Sequence, residues 1–209
     1  MRAHALLGLI LSAVASSGGD RLKLPYYDWG ACPFEGCTYR AWKAVRPTTV
    51  WKERDYQSLV AFRIEPGEWV DGVTGVVIVY QPGLSKVLAP LSLGHGPSVS
   101  VVPGDLLLTL HYAGEGYDLF WFKGKIYSDQ IATDEPDPDP PPPELKIQVI
   151  SRPLDAWWVK VKNKKGQVGW TDQTRNFENM DQFASAAQPN NEMHLTRSAR
   201  GQAERGPRR

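Results

Sequence analysis

The chain is 209 residues long, with 24 Lys and Arg set against 23 Asp and Glu for a formal charge of +1. So even a balance argues against a nucleic-acid surface as its main purpose, and the length leaves room for one medium or two small domains. Seventeen Pro and nineteen Gly break the chain too often for long helices, while eight Trp and eight Tyr are in excess, so the predicted class is all-β.

Residues 1–15 read as a secretory signal helix. Arg2 and His4 form a short polar start, Ala5 to Ala13 an apolar core, and Ala13-Val14-Ala15 a small-residue cleavage site. Cleavage near Ala15 is expected to leave a periplasmic or secreted chain starting near Ser16. The apolar run is too short to span a bilayer, and no later stretch is apolar and long enough, so no membrane span is expected in the mature chain.

Residues 24–130 form a β-rich region. Its aromatic opening holds the only two cysteines, Cys32 and Cys37, around Pro33 and Gly36. In an oxidising compartment a pair this close most simply makes one local disulfide. A redox role would call for Cys-x-x-Cys at a helix start, and no spacing with His95 or His111 fits zinc, so neither metal nor cofactor is expected. Strands are predicted at Thr48 to Trp51 and at Leu59 to Ile64. A turn follows at Glu65 to Glu68, then β runs from Trp69 to Tyr80. Further on, Val101-Val102 meets a Pro103-Gly104 turn, Leu108 to Tyr112 is a strand, and Gly114-Glu115-Gly116 is a loop. Phe120-Trp121-Phe122 is expected as a strand buried on both faces or packed on a partner sheet.

Residues 131–143 are an acidic Pro-rich linker, because consecutive prolines form neither helix nor ladder. In residues 144–175 the run from Trp157 to Asp172 is the most informative of the chain. Strict alternation puts Trp157, Val159 and Val161 on one face and Trp158, Lys160 and Lys162 on the other, and Gly166 supplies the positive φ of a tight turn. Residues 188–209 are a basic tail. From Asn190 onward it carries five Arg against two Glu with almost nothing apolar to bury, the composition of disorder.

The hairpin resembles the last strands of a bacterial SH3-type (SH3b) domain, in which Trp-x-x-Val leads through a turn into Gly-x-x-Gly-Trp. Trp158, Val161, Gly166, Gly169 and Trp170 carry that likeness. Gly67, Glu68 and Val70 resemble the first half of another such unit, and Asp28 to Glu35 is similar to the opening of uncharacterised exported proteins with SH3-like regions. The resemblance implies small SH3-like barrels, two or more of them, serving as an envelope-binding module.

Groups with catalytic chemistry are few. His95 or His111 with Asp105 and Ser98 would supply the types of a triad, but a packed strand histidine is the simpler reading of His111. Glu115 and Asp118 are close enough to pair as carboxylates, and equally read as a solvated turn. The leading expectation is therefore a non-enzymatic module that recognises a cell-wall peptide or an envelope protein through an aromatic groove of Trp158, Trp170, Tyr112 and Tyr117. An envelope hydrolase or hydrolase inhibitor with an SH3b targeting module is the first alternative, and a purely structural envelope protein the second.

Overall fold

Val76, Val77, Ile78 and Val79 are apolar without interruption, so a strand here must be covered on both faces. In the computed structural model, which describes residues 21–131 and 145–182, they lie in the thirteen-residue strand β5 (Trp69–Gln81). Five more strands precede or follow it in the first half of the chain: β1 (Tyr26–Trp29), β2 (Ala41–Ala44), β3 (Thr48–Trp51), β4 (Val60–Ile64) and β6 (Gly83–Val87). Then come the short β7 (Leu91–Leu93) and β8 (Val99–Val101), and the longer β9 (Leu106–Gly114), β10 (Tyr117–Phe122) and β11 (Lys125–Asp129). The last are β12 (Ile147–Ser151), β13 (Leu154–Asn163), β14 (Val168–Thr171) and β15 (Phe177–Glu178), with a 3-10 turn at Thr174–Asn176.

The predicted all-β class is what forms, and every pairing between these strands is antiparallel. The first sheet has eight strands in the order β15-β2-β5-β13-β14-β3-β4, with β1 also on β5. It curls into a half-barrel. β2 pairs with the first half of β5 and β1 with the second, while β13 pairs along nearly its whole length. The second sheet runs β11-β10-β9-β6-β12, and β7 and β8 make a separate two-stranded hairpin.

One ribbon joins the sheets. β5 passes through Pro82 into β6, and β12 passes through Arg152-Pro153 into β13, so two paired strands leave one sheet together and enter the other. Gly83 sits at the bend because nothing larger fits: an added Cβ would lie 2.5 Å from the Ser151 carbonyl oxygen and 2.9 Å from the Pro153 nitrogen. The strands of the 144–175 region thus divide between the sheets, β12 in the second and β13 and β14 in the first. A strand as apolar as β5 needs partners on both edges and cover on both faces, and β13 fills one edge from the far end of the sequence.

Inside the half-barrel lie Trp42, Val50, Ile64, Val70, Val159 and Val161, all buried. Trp42 packs flat over Gly72, whose missing side chain makes the room, and its Nε1 donates to the Thr38 carbonyl at 3.0 Å. In the second sheet the β7–β8 hairpin covers half of one face, burying Leu93 and Val101 against Leu107, Phe120 and Phe122. The other face of β10 presents Trp121 and Leu119, which pack with Leu110 against Val77 and Val79 of β5. This is the double cover expected for Phe120 to Phe122.

Cys32 and Cys37 are bonded, with their Cα atoms 5.5 Å apart. Their loop is tied down on both sides. Tyr39 and Trp157 donate to the Ala31 carbonyl, and the Gly36 amide donates to Glu115 at 2.8 Å. The signal helix at 1–15, the linker after Ile131 and the tail at 188–209 lie outside the described residues. Among the described residues no helix is long and apolar enough to cross a membrane.

Gly83→Ala drives a new methyl into backbone that has no flexible end to move. The expected cost is about 1–3 kcal/mol, read as a lower denaturant midpoint at unchanged slope. An unchanged midpoint would mean that the bend is not held as described.

Candidate functional site

Side chains two residues apart on a strand share a face, and the registers of the first sheet assemble such positions into one aromatic surface. Tyr27 lies opposite Ile78, and Trp29 opposite Val76. On the next strand Ala156 lies opposite Ile78 and Trp158 opposite Val76. One row further, Lys160 pairs with Trp170 and Trp170 with Trp51. The hairpin alternation predicted from sequence is what sends Trp158 and Lys160 to this outer face and Trp157, Val159 and Val161 inward.

Val76, Ile78, Trp158 and Trp170 form a small second core here, roofed from outside by the loop between β3 and β4. Asp55 bends that loop: its carboxylate accepts the Gln57 amide at 2.8 Å and its carbonyl the Ser58 amide at 3.0 Å. Arg54 and Tyr56 are thereby brought back over the sheet. The Tyr56 ring packs 5.2 Å from Trp158 and 5.3 Å from Trp51, and its hydroxyl donates to Asp172. The Arg54 guanidinium stands 4.8 Å from the ring centres of both Trp29 and Trp170. Lys160 holds its ammonium 5.7 Å from the Trp170 ring.

The result is a layered surface. Trp158 and Trp170 are 2% and 7% exposed and form its floor, while Trp29 at 58%, Tyr56 at 62% and Tyr27 at 41% face solvent. Tyr27 and Trp29 stack with centroids 6.1 Å apart, giving a flat ledge beside Arg54. Trp158 Nε1 is buried and has no acceptor among the described residues, and an unpaired buried donor costs about 1–3 kcal/mol.

The four residues expected to line a groove fall in two places. Trp158 and Trp170 belong to this floor and offer little surface themselves; a second element, the β3–β4 loop, covers them. Tyr112 and Tyr117 are on the β9–β10 hairpin of the second sheet. Tyr112 donates to Glu35 and accepts the Gly116 amide, which pulls the Glu35 carboxyl below its ordinary range. Tyr117 meets the His95 ring edge-on at 5.7 Å.

The catalytic alternatives resolve differently. His111 is buried at the junction of the sheets, where Nε2 faces the Asp28 carboxylate at 3.0 Å and Nδ1 the Tyr112 carbonyl at 2.6 Å. Both partners are acceptors, so both bonds form together only when the ring carries two protons. Its carboxylate partner is thus Asp28. Asp105 instead accepts the Val102 amide in the turn before β9. Glu115 is the acceptor that docks the disulfide loop. Asp118 lines a cleft of about 670 Å³ on the uncovered half of the second sheet, together with Ser85, Thr109, Phe120 and Asp155. Desolvation raises the Asp155 carboxyl above its ordinary range, with the His111 charge acting the other way. Among the described residues no group of three or more His, Cys, Asp or Glu is placed to hold a metal ion.

Sequence reasoning missed Tyr27, Trp29, Arg54 and Tyr56. The Tyr27 and Trp29 spacing of two was the available signal, since it places both on one face of any strand. Comparison with known proteins finds no family model, no curated protein and no solved structure that matches this chain.

Two measurements check this geometry. The hydrogen bond to Asp172 pushes the Tyr56 phenol from 10.0 up to about 12. The native state thus holds this proton more tightly than the unfolded chain. The resulting stability is complete below pH 10 and is lost as pH rises through about 12. In Asp172→Asn, phenolate absorbance should show one late-titrating tyrosine moving down; an unchanged titration would contradict the bond. His111→Ala should cost about 1–3 kcal/mol in denaturant unfolding, as expected for a pin between sheets, and full stability would refute that role.

Proposed function

We propose that this chain is an exported, non-enzymatic binding module, built on an SH3-like barrel, whose outer aromatic face docks on a cell-envelope partner. The observation that carries the reading is the exposure of Trp29, Tyr27 and Tyr56 above a rigid floor of Trp158 and Trp170. Large rings that a fold leaves in solvent as one contiguous patch are the usual anchors of an interface. Rings already fixed by packing lose little freedom when a partner arrives, so more of the contact energy remains for binding.

Three further features support it. The curled first sheet and its Gly169-Trp170 closure fit the SH3-like likeness of the hairpin. The disulfide suits an oxidising compartment, in keeping with the signal expected at residues 1–15. Two of the groups with hydrolytic chemistry are engaged in holding the fold, His111 on Asp28 and Glu115 on Gly36. Cell-wall peptide and envelope protein are the partners expected from sequence.

The cleft of the second sheet favours one other reading. Desolvation raises the Asp155 carboxyl, the direction that favours a general acid, and Asp118 lines the same cleft. That is the envelope-hydrolase alternative.

Trp29→Ala separates the two. Its ring is more than half exposed, so the variant should keep its fold while pelleting with cell-wall material falls about tenfold. Undiminished pelleting would refute the aromatic face as the binding surface. Clearing of wall material by the full chain, lost on Asp155→Asn, would establish the hydrolase instead.

A further inference from the structure

The Arg54 and Lys160 side chains make no hydrogen bond and no ion pair among the described residues; they lie against indole rings alone. Elsewhere in the same sheet Lys43 pairs with Glu178 at 3.2 Å and Lys162 with Asp71 at 3.3 Å. Asp172, two residues after Trp170, is taken by the Tyr56 hydroxyl. Both cations flank Trp170, beside the ledge of Tyr27 and Trp29, so two positive groups and two exposed flat rings converge on one face.

From this we propose that the face binds an acidic saccharide, with Trp29 and Tyr27 stacking on sugar rings and Arg54 and Lys160 reading the carboxylates. The inference rests on the aromatic face being the docking surface, and narrows the partner to one chemistry. A pyranose ring presents a flat face of C–H groups with polar groups at its edge. An open ledge of stacked rings suits that shape better than it suits peptide side chains, which need separate pockets. The guanidinium offers a planar fork of N–H donors that matches a carboxylate bidentately, and Arg54 keeps all of them unused. Held between Trp29 and Trp170, that fork is already oriented, so little rotamer freedom is lost on binding. The sandwich between two ring faces fixes the cation without neutralising it. A ligand carboxylate supplies the missing charge, and Lys160 adds a second, less directional one.

The test titrates the full chain, by tryptophan fluorescence, with three probes: oligogalacturonate, the same oligosaccharide fully methyl-esterified, and polyglutamate. Oligogalacturonate should bind at least about tenfold tighter than either of the others. Arg54→Gln and Lys160→Gln should each remove most of that preference, and Arg54→Lys should restore part of it. Equal affinity for acid and ester, or for polyglutamate, would overturn the proposal. If Arg54→Gln fails to fold, Lys160→Gln decides together with the wild type, whose affinity must fall with added salt. Envelope binding that Trp29→Ala abolishes, with no discrimination between acid and ester, would sink this inference and leave the binding face standing. Envelope binding that Trp29→Ala leaves intact would remove both.

Discussion

The paired ribbon that bends from one sheet into the other is the constraint on which this structure rests. β5 and β6 run beside β13 and β12, and both strands of the ribbon turn at the same place, at Pro82 and at Arg152-Pro153. Because β5 and β6 lie mid-chain and β12 and β13 far beyond them in sequence, neither sheet closes until the last strands arrive. Closing so long a loop costs chain entropy only slowly with length. The return is the uninterrupted apolar run of Val76 to Val79, buried on both faces.

Double burial explains where the working surface lies. Val77 and Val79 point to the junction with the second sheet, where Leu110, Leu119 and Trp121 meet them and His111 reaches Asp28. Val76 and Ile78 point the other way, toward no second sheet. Their cover is a loop, with Trp158, Trp170, Tyr56 and Arg54 completing it. A core roofed by large side chains leaves some of those side chains facing water. Trp29, Tyr27 and Tyr56 are what remains exposed once the apolar floor has been sealed, and their positions are fixed by a sheet that cannot shift without breaking the ribbon.

The legible parts of the sequence were those governed by local pattern. Alternation in Trp157 to Lys162, the positive φ at Gly166 and the Cys32–Cys37 pair all depend on neighbours in sequence, and each takes the predicted form. What escaped depends on partners far away. His111 finds Asp28 across 83 residues, a pairing that no spacing rule reveals. Strand β1 is four residues long between Pro25 and Gly30, too short for its two-residue period to stand out. Arg54 and Tyr56 lie in a loop whose path is set by the hydrogen bonds of Asp55, so their arrival over Trp158 and Trp170 is a matter of geometry. Trp158 and Trp170 were expected to line a groove, but depth cannot be read from alternation alone: the covering loop makes them a floor, and exposes their neighbours.

The most direct test of the outer face as the working surface is an NMR titration of the indole N–H signals with soluble cell-wall fragments. The account predicts that Trp29, Trp51 and Trp170 shift together and saturate at one ligand concentration, while Trp42, buried inside the half-barrel, stays fixed. Shifts confined to the amides of Thr109, Asp118 and Asp155 would place binding in the cleft of the second sheet and contradict it.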